Sequence, residues 1–503
     1  MNHPARAVSI AHLMEQSGVG FGTSGARGLV SAMTDEVCYL YTRAFLQQLG
    51  GSGGAMDRVA VAGDLRPSTG RIMAAVVQAI RDAGMSPVHC GRIPSPALAW
   101  YGLRQGVPSV MVTGSHIPDD RNGIKFNRAD GEISKADEQG IRGQRVEVPE
   151  GRFDPAGALT GAPAAIPPVE EGARRAYVGR YLGFFPPGCL EGLRVGVYEH
   201  SSVGRDLLGE VLAALGAEAV PLGRSETFVP VDTEAVRAED VELALRWARE
   251  ARLDAIVSTD GDADRPLLAD ERGHWLRGDV AGVLCAEYLG ARVVVTPVSS
   301  NTVAERCGRF RRVLRTRIGS PYVVEAMLRA VDEGEDRVVG YEANGGFLTA
   351  SPFEADGRRL EPLPTRDALV VVLALLHSSR LRAVPVSALA DSLPPRFTAS
   401  DRLKDFPTEL SRQRLGALQT GNTARDHAAI ERAFRGLFGP VAAVDATDGL
   451  RVNFASGEVA HLRPSGNAPE LRCYNEADSE ERAREMNRAC LEILEGWRPP
   501  AGG

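Results

Sequence analysis

The sequence predicts an α/β protein of four domains: three related α/β domains with mixed sheets, then a smaller C-terminal α+β domain. Three observations predict it. The order strand, polar loop, helix, strand occurs three times. Each copy is followed by a further strand ending in an unusually polar loop. The chain from about Leu393 onward breaks the pattern with closely spaced strands and one terminal helix.

In the first copy the apolar run 59–62 reads as a strand, 64–70 as a polar loop, 71–83 as a helix and 88–90 as the return strand. The second runs as strand 194–198, loop 199–204, helix 205–215 and a segment 217–222 leading into the next strand. The third has strand 293–296, loop 297–301, a short helix 302–307 and strand 312–316. The further strands are 109–112, 255–258 and 338–341, and they lead into Thr113, Asp260 and Glu342. Strands 450–454, 460–463 and 471–474 and a helix over 479–495 make up the last domain. The Pro/Ala/Gly-rich stretch 146–172 reads as a linker, and the expected domains are 1–150, 173–288, 289–392 and 393–503.

Bulk properties exclude several classes. With 503 residues the chain has room for several cores of ordinary size. A net charge of −7 argues against a nucleic-acid polyanion as partner, while leaving room for a local basic cleft that takes small phosphates. The longest apolar run, 368–376, is far below the ~20 residues that span a bilayer, and no secretory leader is evident, so a cytoplasmic protein without membrane contact is expected. Seven scattered cysteines without a CxxC pair, and nine dispersed histidines, predict neither disulfides nor zinc.

The most informative loop is Ser258-Thr259-Asp260-Gly261-Asp262-Ala263-Asp264-Arg265-Pro266. Three carboxylates this close repel one another unless a cation sits among them, and hard oxygen ligands suit Mg²⁺ or Ca²⁺. Ligands of open α/β sheets collect beyond strand carboxyl ends, where this loop lies, and Arg265 can hold a phosphate bridged to the metal. An EF-hand would need glycine at the sixth position, which Arg265 occupies. A solvated acidic turn is the bland alternative.

In the first-domain loop, Thr113 to Phe126, Ser115 is the candidate nucleophile. His116 can hydrogen-bond, and Lys125 can transfer protons or neutralise charge. The Gly-x-Ser-x-Gly elbow of a hydrolase is absent. The segment Phe21 to Gly28 is glycine-rich enough to wrap an anion, with Arg27 projecting inward. In the third domain Glu342 and Asn344 can grip vicinal sugar hydroxyls, although Asn344-Gly345 is also a plain turn signal. In the last domain Arg463 and Arg472 bracket Ser465, Gly466 and Asn467, a set of donors suited to a phosphate dianion.

Together, in this order, these loops resemble the α-D-phosphohexomutase superfamily, and the resemblance covers nearly the whole chain. It implies a heart-shaped four-domain architecture and a mutase interconverting hexose 1-phosphate and hexose 6-phosphate, mannose or glucose phosphates being favoured. It further implies that Ser115 is carried as phosphoserine, that Asp260, Asp262, Asp264 and the seryl phosphate bind Mg²⁺, and that a hexose 1,6-bisphosphate is the intermediate. Arg463, Ser465, Gly466, Asn467 and Arg472 would hold the non-reacting phosphate, and Glu342 and Asn344 would read the sugar. Lys125 is the expected acid/base, with Arg265 and Arg27 as electrostatic stabilisers and His116 beside the serine. The expected partner is a small phosphosugar, in a monomer or homodimer.

The chain departs from the family pattern in two loops. Asn467 and Ala468 replace the common Thr and Glu of the phosphate loop, and the sugar loop reads Glu342-Ala343-Asn344-Gly345-Gly346 where phosphomannomutases commonly have Glu-x-Ser-Gly-His. Glu-Ala-Asn-Gly also looks like the phosphoacetylglucosamine mutase branch, so a phosphoglucosamine or phosphoacetylglucosamine mutase is the alternative. A sugar-phosphate-binding protein without turnover, or a phosphatase using the aspartate loop, are the alternatives of other classes.

Overall fold

The computed structural model describes residues 5–22, 25–51, 56–161, 165–465 and 469–498. Three sheets repeat one core of four strands. In the first, Arg58–Gly63 lies parallel to Ser86–Arg92 on one side and to Ser109–Val112 on the other, and Arg121–Arg128 closes antiparallel on Ser109–Val112. The second repeats this with Arg194–Tyr198, Glu218–Leu222, Ala255–Thr259 and Pro266–Ala269. The third repeats it with Val293–Pro297, Arg312–Thr316, Val338–Tyr341 and Phe347–Thr349. The three polar loops therefore occupy one topological position, the turn from the third strand into the antiparallel fourth.

These central strands are short β-branched runs buried on both faces, as in Val293–Pro297, because helices cover the parallel part of each sheet. The long apolar run forms the helix Ala368–Arg382, whose residues from Ala368 through Ser379 are all buried. A helix apolar all round belongs in the middle of a large core. It lies in one continuous cluster with Leu98 of the first domain, Leu208 of the second and Val339 of the third. Among the described residues no helix is long and apolar enough to cross a membrane.

The fourth domain has its own core around Phe406, Leu450, Leu471 and Met486. Its sheet is antiparallel throughout, in the order Phe397–Leu403, Leu471–Ala477, Val459–Pro464, Leu450–Phe454, Val441–Asp445, with the helix Glu480–Glu495 packed against it. It docks on the third domain through Glu476, which accepts from the Thr302 amide at 3.0 Å and from Arg396 Nε at 2.5 Å.

Two stretches differ from the sequence reading. The 146–172 stretch starts inside a strand: Arg145–Pro149 pairs antiparallel with Ala5–Ser9, and Val146 and Val148 are buried. The alternation in Arg145-Val146-Glu147-Val148 carried that signal, and the Pro/Gly composition downstream masked it. The glycine-rich segment near the N-terminus is an edge hairpin in which Gly25–Leu29 pairs with Arg121–Arg128, so Arg27 is delivered by a strand opposite Gly123.

Candidate active site

The metal loop is built by its own first carboxylate. The buried strand Ala255–Thr259 ends at Asp260, whose Oδ1 accepts the Asp264 and Arg265 amides at 3.1 and 3.2 Å and so folds the loop back on itself. Asp260, Asp262 and Asp264 are all buried, and one carboxylate oxygen from each lies within 4.8 Å of the others. Asp262 Oδ2 accepts from Ser95 Oγ at 2.6 Å and Lys125 Nζ at 2.5 Å, and Asp264 Oδ2 accepts from Lys125 Nζ at 2.7 Å.

Burial, then the charges of Asp262 and Asp264, pushes the Asp260 carboxyl well above its ordinary range. Burial acts the same way on Asp262 and Asp264, but it is outweighed on the first by Lys125, Ser95 and Arg366 together and on the second by Arg366, Lys125 and Arg265 together, so both are held low. Asp262 Oδ1 and Asp264 Oδ1 remain buried without a hydrogen-bond partner. Two orphaned carboxylate oxygens beside a third carboxyl that resists ionising fit a divalent hard cation, which supplies the missing partner to each.

Ser115 faces this loop. Its Oγ donates to Asp260 Oδ2 at 2.6 Å and lies 3.3 Å from His116 Nδ1. It is fully buried with φ +57°, a left-handed conformation that costs a non-glycine residue about 1–2 kcal/mol and persists only where neighbours impose it. The imposing residue is Arg66. Its guanidinium donates to the Ser115 carbonyl at 2.9 Å, to Pro118 O at 2.7 Å, to Arg121 O at 3.0 Å and to Ile117 O, and Asp64 pairs with its Nε at 3.1 Å. Thr113 Oγ1 accepts the Ser115 amide at 2.8 Å. Gly261 gives the serine its access, because a Cβ there would sit 2.6 Å from the Ser115 carbonyl oxygen.

The cations gather around the serine and the loop. Arg265 Nη1 contacts His116 Nδ1 at 2.9 Å, and its Nε is buried without a hydrogen bond. Burial and then Arg265 push His116 down to about 3, so the imidazole is neutral and its Nδ1 accepts from the arginine. Burial and then Arg265 lower Arg27 to about 10.

In the sugar loop, Glu342 and Asn344 are buried and Gly345 takes φ +88°. Asn344 Oδ1 accepts the Gly346 amide at 3.0 Å, so the Asn-Gly turn is real and uses half of the side-chain amide. Glu342 Oε2 is 3.3 Å from Arg366 Nη1. Arg366, in the strand Leu363–Asp367, also donates to Asp264 Oδ2 through Nε at 3.1 Å and Nη2 at 2.8 Å.

In the fourth domain, Arg402, Arg472 and Arg463 stand directly across from one another on three adjacent antiparallel strands. Like charges in cross-strand register are destabilising, so such a row marks a place for an anion. Glu470 and Asp448 partly offset it: Arg402 Nε and Arg472 Nη2 lie 3.4 and 3.6 Å from Glu470, and Arg463 Nε lies 3.0 Å from Asp448. Ser465 is buried, and its amide donates to Glu470 O at 2.8 Å. Gly466 and Asn467 lie outside the described residues. A cleft of about 660 Å³ runs from His116 and Arg265 past Asp232 to Arg402, Arg472 and Tyr474, joining the His116–Arg265 pair to two members of the arginine row.

Sequence reasoning missed Arg66, Ser95, Arg366 and Arg402. Asp64-Leu65-Arg66 and Thr365-Arg366-Asp367, polar groups at strand ends, were available signals, but neither adjoins the loop it serves.

Four family models match in order: phosphoglucomutase/phosphomannomutase alpha/beta/alpha domain I over residues 18–149, domain II over 189–273, domain III over 277–397 and the C-terminal domain over 416–493. A phosphomannomutase of Sinorhizobium fredii is 43% identical over 487 residues, covering 95% of this chain and 99% of that protein. A phosphomannomutase of Salmonella muenchen is 44% identical over 471 residues, covering 94% of each. The crystal structure of a phosphoglucomutase/phosphomannomutase family protein from Burkholderia thailandensis superposes with a TM-score of 0.71 at 21% identity, covering 98% of this chain and 99% of that one, which shows the shared fold.

Proposed function

The chain belongs to the phosphoglucomutase/phosphomannomutase family, and from that premise we propose how its residues divide the work. It is a phosphohexomutase that interconverts hexose 1-phosphate and hexose 6-phosphate, an intramolecular phosphotransferase acting on mannose or glucose phosphates. Identity of 43–44% to phosphomannomutases along nearly the whole chain weighs for these sugars over the amino sugars that Glu342-Ala343-Asn344 left open.

The observation that carries the residue assignments is Ser115 Oγ held 2.6 Å from Asp260 of the aspartate cluster. Ser115 is the phosphoryl carrier. A phosphoserine brings roughly −1.5 to −2 charges to a site already rich in carboxylates, and requires compensating cations. Mg²⁺ held by Asp260, Asp262, Asp264 and the seryl phosphate would stabilise charge on the transferred group. Arg27 and Arg265 add fixed positive charge around it, and neutral His116 orients Arg265.

Transfer breaks the P–O bond to Ser115 and forms one to a sugar hydroxyl, giving a hexose 1,6-bisphosphate. Lys125, beside Asp262 and Asp264, is the group assigned to the acid/base work: as the free amine it takes the hydroxyl proton, and the ammonium so formed returns a proton to the Ser115 oxygen that the phosphoryl group leaves, the reverse step running the other way. The bisphosphate turns end for end and returns its other phosphoryl group to the serine. Arg463, Ser465, Gly466, Asn467 and Arg472, joined by Arg402, hold whichever phosphate is not reacting, and Glu342 and Asn344 bind the ring hydroxyls.

The test is phosphate incorporation. Intact-mass measurement after incubation with glucose 1,6-bisphosphate and Mg²⁺ is expected to show one phosphoryl group on the wild type and none on Ser115→Ala, with turnover lost and folding retained. Mutase activity in Ser115→Ala would refute the serine assignment.

A further inference from the structure

Arg366 is one of the largest fully buried side chains of the protein, 1% exposed, and its partners come from two domains. Nε and Nη2 bind Asp264 Oδ2 at 3.1 and 2.8 Å in the metal loop. Nη1 lies 3.3 Å from Glu342 Oε2 in the sugar loop and 3.5 Å from Ser320 Oγ. Asp367, the next residue, is anchored on the opposite side by Tyr177 at 2.7 Å and by Tyr181, and its carboxylate caps the buried helix Ala368–Arg382 through the Leu369 amide at 3.1 Å. The backbone that delivers the arginine is thereby fixed.

The sugar loop is cut to fit this side chain. A Cβ at Gly346 would sit 2.5 Å from Arg366 Cδ and 2.7 Å from Cγ, so the stem of Arg366 fills the room a side chain at 346 would need. Gly346 lacks the positive φ that would call for glycine on backbone grounds. The glycine is there to admit the arginine.

We propose that Arg366 is a positioning residue of the mutase reaction: it fixes the Glu342 carboxylate for the sugar hydroxyls and ties the sugar loop to the metal loop. The proposal rests on the reading that Glu342 binds the sugar. A guanidinium suits the task because its planar fork holds its donors in fixed directions, Nε and Nη2 toward Asp264 and Nη1 toward Glu342, whereas the lysine ammonium is a point charge on a flexible stem. Removing Arg366 takes from the buried Glu342 carboxylate the cation that stands 3.3 Å from its Oε2, and with it the contact that holds the carboxylate in one orientation.

The test is a double-mutant cycle on kcat/KM with mannose 1-phosphate, using Glu342→Gln, Arg366→Ala and the double variant, each first checked for cooperative thermal unfolding. Loss of a buried charge partner is expected to lower kcat/KM by roughly 100-fold in Arg366→Ala, mainly through KM. The double variant is expected to fall no further than the worse single variant, because both changes disable one unit. Arg366→Lys should recover only part of the loss.

Losses that multiply in the double variant, or wild-type kinetics in folded Arg366→Ala, would overturn the proposal while leaving Glu342 as the sugar ligand. A silent Glu342→Gln would instead remove that reading, and the role of Arg366 with it. Should Arg366→Ala not fold, Gly346→Ala, which pushes on the arginine stem, carries the test: a raised KM is expected, and unchanged kinetics would overturn the proposal.

Discussion

Ser115 is where single residues matter most, because the reactivity proposed for it depends on a backbone conformation that serine does not choose. Arg66 holds that conformation from outside the loop, and Thr113 from the loop's first position. The serine and the three aspartates that the structure brings together were visible in the sequence because each lies in one contiguous loop, so short-range spacing points to them. Arg66, Arg366 and Arg402 were not, because each reaches its partner from a distant segment and spacing says nothing about such contacts. A second residue-scale consequence concerns His200, buried at the edge of the second-domain site, with Nε2 2.8 Å from Thr259 O. Burial lowers it to about 4. A depressed histidine is neutral in the fold and charges more readily when unfolded. Its share of stability is therefore complete above the unfolded value near 6.5 and is lost as pH falls toward 4, at about 1.4 kcal/mol per pH unit. Urea unfolding between pH 4 and 7 should give a shallower acid slope for His200→Asn than for wild type; equal slopes would contradict the assignment.

Among elements, central strands were the easiest to read, since runs such as 194–198, 312–316, 338–341 and 450–454 combine β-branched composition with turn signals on both sides. Helices such as Asp35–Gly50 and Gly278–Tyr288 lie outside the sequence reading; the second is apolar almost all round and offers no amphipathic stripe to mark it. The edge hairpin was misread as a loop, since its glycines serve close strand approach. Two predictions belong at this scale. In the metal loop, Gly261→Ala places a methyl against the Ser115 carbonyl and should lower kcat by at least about tenfold, because small misplacement of reacting groups is costly; wild-type kcat would show that the contact is slack. In the arginine row, Arg472→Gln should raise KM for hexose phosphates by about tenfold or more with a smaller change in kcat, as expected for a charge-assisted contact to a non-reacting phosphate. A change confined to kcat would move Arg472 to the reacting end.

At the scale of the whole molecule, the site exists only because four domains converge. Ser115 and Lys125 come from the first, the aspartates and Arg265 from the second, Glu342 and Arg366 from the third and the arginine row from the fourth. Three of these domains share one hydrophobic cluster, whereas the fourth keeps its own core and meets the third through polar contacts at Glu476 and Asp448. The order of loops along the chain foretold this convergence better than any one loop did, since each is only a moderate signal alone. The central claim is that this assembly moves a phosphoryl group between two positions of one sugar through Ser115. Phosphorus NMR of the protein with Mg²⁺, a trace of glucose 1,6-bisphosphate and mannose 1-phosphate tests it most directly, with glucose 1-phosphate run in parallel. Conversion of the 1-phosphate resonance into the 6-phosphate resonance, absent in Ser115→Ala, is the predicted result. Release of inorganic phosphate alone, or an unchanged spectrum from folded protein phosphorylated on serine, would contradict it.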